Sequence, residues 1–192
     1  HVKHYEGYYH SQEDFVYAFK KWLVAMTAGW FTNHIVNHTV LVLVGKGGIF
    51  KTTLLEHLLP PQLSSYFAND SSSDYRSKDF QEMGASKALV NLDEFEFPEG
   101  KNLSAFKSMI TKQEFTFRRP YDRYPSILKH NTSFCATSNN VHFLKDNIGR
   151  RLLIWEVEQI DNPTTHKIDY THVYAQALTL AQKVAANQKL MK

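Results

Sequence analysis

The chain has 192 residues, enough for one domain with a sizeable core, and no apolar run approaches the length of a membrane span. Its formal charge of +3 is mild, so any contact with nucleic acid must come from a local patch. A single cysteine, Cys135, excludes an internal disulfide framework and fits a reducing, cytoplasmic compartment.

Ser11-Gln12-Glu13-Asp14 is a helix start, and Phe15, Phe19, Trp22, Leu23 and Met26 recur at helical spacing to about Ala28. That stripe reads as core packing. His34 and His38 have metal-ligand spacing but lack a third partner nearby, so no zinc site is expected. Val40-Leu41-Val42-Leu43-Val44 reads as a fully buried strand. It runs directly into Gly45-Lys46-Gly47-Gly48-Ile49-Phe50-Lys51-Thr52-Thr53, whose glycines let backbone N–H groups converge on an anion. Leu54 to Leu59 looks helical until Pro60-Pro61 stops it. Strand, glycine loop, Lys-Thr and helix make a phosphate-binding P-loop. One position departs from the pattern: Phe50 stands where glycine is expected, and its Cβ threatens the loop's shape.

Asn69 to Asp74 reads as a polar loop and Lys78 to Met83 as a short helix. Lys87 to Glu94 is a second buried strand ending in two acids. A P-loop NTPase needs one acid near its Mg²⁺ and another to activate water, roles that suit Asp93 and Glu94 respectively. Glu96 and Glu99 extend the acidity, Glu96 as surface charge. Asn102 to Lys112 should be a helix with Leu103, Phe106 and Ile110 inside. A hairpin follows, Phe115 to Arg118 returning through Ile127 to His130. It would carry Arg118, Arg119, Arg123, Lys129 and His130 with Tyr121 and Tyr124 interleaved, a mixture that suits either single-stranded nucleic acid or an ordinary solvated surface.

Ser133 to Ser138 is a third core strand, with Cys135 as a small buried hydrophobe. It ends at Asn139, where a polar group would orient the attacking water. Arg150 and Arg151 precede the strand-like Leu152-Leu153-Ile154-Trp155, either as surface charge or as fingers toward a neighbour's γ-phosphate. The chain turns over Asp161 to Pro163, and a tail helix runs from Tyr170 to about Leu190.

From about Phe19 to Glu158 the chain resembles the virulence-associated protein E family, whose ATPase domain is similar to superfamily 3 helicases within the AAA+ group. The resemblance rests on Phe19-Lys20-Lys21-Trp22-Leu23-Val24-Ala25, the P-loop and Leu92-Asp93-Glu94. It rests also on Phe117-Arg118-Arg119-Pro120-Tyr121-Asp122-Arg123, on Ala136-Thr137-Ser138-Asn139 and on Phe143 to Arg151. It implies Lys51 and Thr52 as the Walker A pair, Asp93 and Glu94 as Walker B acids and Asn139 as sensor 1. Arg150 or Arg151 is then the finger given to the adjacent subunit of a ring.

The expected fold is a three-layer α/β P-loop NTPase of AAA+ type with parallel sheet order 5-1-4-3-2. A helical lead-in spans residues 1–35, an α/β core 36–160 and a helical tail 161–192. The expected activity is an ATP- and Mg²⁺-dependent, helicase-like motor on single-stranded DNA or a fork, in replication of a mobile element. A primase-like region is expected to precede this piece of a longer protein. The alternatives are a nucleotide-binding assembly module that does not hydrolyse, for which Phe50 speaks, and a monomeric small-molecule kinase.

Overall fold

The computed structural model describes residues 2, 11–32, 35–118, 121, 123–140 and 151–190. Helix α1 (Gln12–Phe31) begins at a complete capping box: the Ser11 hydroxyl accepts from the Asp14 N–H at 3.1 Å, and the Asp14 carboxylate accepts from the Ser11 N–H at 3.0 Å. The helix runs three residues past the expected end at Ala28. The added turn is held from outside, since Trp30 stacks on Tyr174 of the tail helix α5 (Tyr170–Leu190) at 5.6 Å.

Strand β1 (Val40–Val44) is buried on both faces, as its unbroken apolar run requires. It sits between β6 (Ser133–Ser138) and β7 (Leu152–Glu156) and is parallel to both. On the far side of β6 lie β3 (Leu89–Leu92) and then β2 (Phe67–Asp70), also parallel. The order β2-β3-β6-β1-β7 is the 5-1-4-3-2 sheet that the resemblance implies, read from the opposite edge.

Side chains alternate across the sheet, so each face collects one set of residues. Val40, Val42 and Val44 face the first cluster. There Phe80 of α3 (Lys78–Ser86) packs with Phe106, Met109 and Ile110 of α4 (Gly100–Thr111). Leu41 and Leu43 face the second, with Trp22 and Met26 of α1 and Leu55 of α2 (Lys51–Glu56). The result is a mixed α/β protein with helices on both faces of a parallel sheet. The tail helix docks on the second side, where Tyr170 and Tyr174 donate their hydroxyls to the carbonyls of His57 and Leu58, each at 2.8 Å. These are carbonyls that the short α2 leaves open at its end.

Two expectations are corrected here. Asn69 to Asp74 is not wholly a loop, because Phe67–Asp70 forms the edge strand β2 after a 3₁₀ turn over Pro61–Tyr66. Asn and Asp are poor strand formers, but pairing with β3 supplies what propensity lacks, and Asn91 donates from Nδ2 to Asn69 Oδ1 at 2.9 Å. The second correction concerns His130.

The hairpin forms as expected from β4 (Glu114–Phe117) and β5 (Ser126–Lys129), but it is not a free arm. Phe115 and Phe117 are buried in the core. Gly84 is where α3 lets Phe115 in, since a Cβ there would lie 2.5 Å from the ring. His130 belongs to this buried base rather than to the basic surface. It is 2 % exposed, donates from Nδ1 to the Lys112 carbonyl at 2.8 Å and packs edge-on against Phe115.

Burial pushes the His130 pKa down to about 4, and the nearby charges of Lys112 and His38 act in the same direction. Between pH 6.5 and 4 the unfolded imidazole binds a proton that the native one refuses, so stability falls as pH falls through that window. The loss should approach about 3 kcal/mol by pH 4. Unfolding of the parent and of His130→Asn, measured at pH 7 and pH 4.5, checks this: the variant should show the smaller drop.

Candidate functional site

The glycine loop leaves β1 under tight constraint. A Cβ on Gly45 would come within 2.4 Å of the Val157 carbonyl oxygen, so no other residue fits at that turn. Gly48 and Phe50 both take left-handed backbone, with φ of 80° and 64°. The loop therefore demands glycine-like geometry where the sequence supplies phenylalanine, and Phe50 adopts it. Its carbonyl still accepts from the Leu54 N–H at 2.8 Å, so the helical turn closes normally.

The cost of a left-handed non-glycine residue is about 1–2 kcal/mol, against up to about 1 kcal/mol of extra unfolded-state entropy for glycine. Phe50 is 40 % exposed. Phe50→Gly should thus leave stability unchanged or raise it by up to about 1 kcal/mol, read by urea unfolding. A loss larger than that would mean that ring packing outweighs strain.

A cleft of about 340 Å³ opens at the carboxyl ends of the strands, lined by the loop residues Gly47, Gly48 and Phe50 to Thr53 and by Asp93, Glu94, Thr137, Ser138 and Asn139. Lys51 is buried and its ammonium makes three hydrogen bonds: to the carbonyls of Gly45 at 2.8 Å and Lys46 at 2.7 Å, and to Asn139 Oδ1 at 3.0 Å. Burial lowers its pKa while the Asp93 charge opposes that shift. An incoming phosphate would compete with carbonyls that the loop itself provides. Thr52 donates from Oγ1 to Asp93 Oδ1 at 3.2 Å.

Asp93 is pinned by its N–H to the Asp70 carbonyl at 2.9 Å, and the Phe95 N–H donates to the Thr137 carbonyl at 2.7 Å. Between these anchors Glu94 stands exposed with φ of 51°. Five expected residues, Lys51, Thr52, Asp93, Glu94 and Asn139, are thereby gathered from three separated segments. Lys46, Ile49 and Gly45 belong to the same loop but do not line the cleft. Ile49 instead packs on the second core cluster.

Arg151 is not brought to this cleft. Its carbonyl accepts from the Val40 N–H at 2.8 Å, which puts it at the start of β7, beside the beginning of β1. The loop follows the other end of β1, roughly 16 Å away at about 3.3 Å per residue. Arg150 lies outside the described residues, as do Arg119 and His34. Of the other expected DNA contacts, Arg118, Arg123 and Lys129 are exposed and Tyr121 is fully so. Arg123 lies over the exposed Tyr124 ring at 5.8 Å, and Lys129 faces Glu114 across the hairpin. Among the described residues no group of three or more His, Cys, Asp or Glu can hold a metal, and no helix is long and apolar enough to cross a membrane.

Sequence reasoning missed Thr137. Its hydroxyl donates to Asp93 Oδ1, the oxygen that Thr52 also meets. The signal was its place two residues before Asn139, but only the pairing of β6 with β3 sets it beside Asp93. A larger apolar groove of about 840 Å³, between α1 and α5, shares no residue with the cleft.

The virulence-associated protein E-like domain matches residues 5–191. The chain belongs to this family. No match is found among curated proteins. Among solved structures, this family member is similar to the C-terminal region of NrS-1. An A form without ligand has TM-score 0.52 and 18 % identity, over 84 % of this chain and 37 % of that one. Another apo structure has TM-score 0.50 and 17 % identity, over 90 % of this chain and 42 % of that one. The likeness extends to the fold, and this virulence-associated protein E-like domain spans roughly two fifths of the NrS-1 region.

Proposed function

We propose that this domain is a P-loop ATPase of AAA+ type, a helicase-like motor on single-stranded DNA or a fork in the replication of a mobile element. The observation that carries the reading is the pair of contacts Lys51–Asn139 and Thr52–Asp93, which join the glycine loop to two strand ends in one cleft.

Lys51 would trade its carbonyl partners for the β- and γ-phosphates, and Asn139 would hold the attacking water in line. Exposed Glu94 would take that water's proton. The Thr52 hydroxyl and Asp93 carboxylate are hard oxygen donors that fit Mg²⁺. The chemistry such a cation would supply at these two oxygens is electrostatic, an offset to the negative charge that develops on the phosphates. Arg151, too far along the sheet to serve its own cleft, supports assembly in a ring that brings it to a neighbour's. The same distance speaks against a kinase closing a lid arginine over its own site. The hairpin supports the DNA part: buried phenylalanines hold its base while Tyr121, Arg123, Tyr124 and Lys129 stay exposed. A second reading, an assembly module that binds ATP without hydrolysing it, draws on Phe50 alone.

The test is ATP turnover per chain against protein concentration, with and without single-stranded DNA. The motor requires a rate that rises with both. A flat rate would indicate an enzyme complete in one chain, and tight binding without turnover would indicate the assembly module. For the DNA contact, Arg123→Ala with Lys129→Ala should flatten the salt dependence of log K by roughly 1.4 units, at about 0.7 per phosphate contact. Unchanged affinity and slope would make the hairpin ordinary surface.

A further inference from the structure

Asp93 receives two hydroxyls on one oxygen, and the two are not equivalent. Thr52 lies on the loop helix and is half-buried, within reach of whatever enters the cleft. Thr137 is 2 % exposed on the central strand of the sheet, and its hydroxyl is bonded to Asp93. Valine is β-branched like threonine and has nearly the same shape, so packing alone does not call for the hydroxyl. A buried hydroxyl costs free energy unless it is bonded, and here its bond goes to Asp93. The same residue's carbonyl accepts the Phe95 N–H, which closes the turn that carries Glu94.

We propose that Thr137 is the positioning residue of the cation site: its hydroxyl, on Asp93 Oδ1, orients the carboxylate so that Oδ2 faces a divalent metal. This rests on the nucleotide reading above. When Thr52 turns from Asp93 to the metal and nucleotide, Thr137 keeps the carboxylate from rotating after it. A freely turning carboxylate must be ordered on binding, and loss of such an outer partner typically costs ten- to a hundred-fold in metal affinity. Phosphate contacts made by Lys51 are untouched.

The experiment measures Mn²⁺ binding by electron paramagnetic resonance in the presence of a non-hydrolysable ATP analogue, and analogue binding without metal. In T137V the Mn²⁺ affinity should fall at least ten-fold, metal-free analogue binding should stay within two-fold, and T137S should restore the parent's value. T137C, close in shape with a weaker donor, should fall between and stands in if T137V does not fold. In a D93N background, T137V should change nothing further. Parent-like Mn²⁺ affinity in T137V or T137C, or equal losses in T137V and T137S, would overturn the proposal while leaving the nucleotide reading in place. A parent that binds neither analogue nor Mn²⁺ with it would overturn that reading and this one together.

Discussion

Lys51→Ala is expected to lose ATP binding by about a hundred-fold, and Glu94→Gln to keep binding while losing turnover. The lysine ammonium is the one buried cation facing the cleft among the described residues, and each of its three donors is already in a hydrogen bond. Charge-assisted bonds to phosphate are roughly twice as strong as the neutral kind, so removing them costs about 3 kcal/mol of binding. Glu94 is different. It is exposed and held in left-handed backbone between the anchored residues Asp93 and Phe95. The glutamine keeps its shape but accepts no proton, which should lower kcat by about 10²- to 10⁴-fold. Titration with a fluorescent ATP analogue and steady-state phosphate release separate the two effects. Equal turnover in Glu94→Gln and the parent would remove Glu94 from the chemistry.

Arg151→Ala should be nearly inactive by itself, and partly rescued when mixed with inactive Lys51→Ala chains. Arginine fingers supplied from a neighbour contribute roughly 10³- to 10⁵-fold in GTPases. Arg151 begins β7 at the end of the strands opposite the loop, so its own cleft is out of reach of one side chain. In a mixed assembly, a Lys51→Ala chain can offer its Arg151 to a neighbour whose Lys51 is intact. Phosphate release at varied mixing ratios measures the recovery, which should peak at intermediate ratios. No recovery in mixtures that sedimentation shows to be co-assembled would assign Arg151 to structure rather than to catalysis.

The core elements were legible because their signals are local. An apolar run such as Val40 to Val44 admits few readings, and Ser11 to Asp14 caps a helix with side chains three residues apart. Gly45 and Lys51 were legible for the same reason, since the chemistry of the loop lies within nine consecutive residues. Phe50 was flagged by the sequence as a misfit. The structure adds that its backbone takes the left-handed turn regardless, because the strand before it and the helix after it fix both ends.

Other features were decided by neighbours distant in sequence. Phe67–Asp70 is a strand because β3 offers it a pairing edge, which outweighs the weak preference of Asn69 and Asp70. His130 is buried because Phe115 and Lys112 enclose it, although its position beside Lys129 suggested a basic surface. Thr137 reaches Asp93 only because β6 was inserted between β1 and β3, an adjacency that no local pattern encodes. By itself the sequence determined the glycine loop, the acids and the order of the elements, since each is written in contiguous residues. The tertiary structure alone decided which hydroxyl holds Asp93 and on which edge of the sheet Arg151 stands, because both depend on parallel strands pairing across long crossovers.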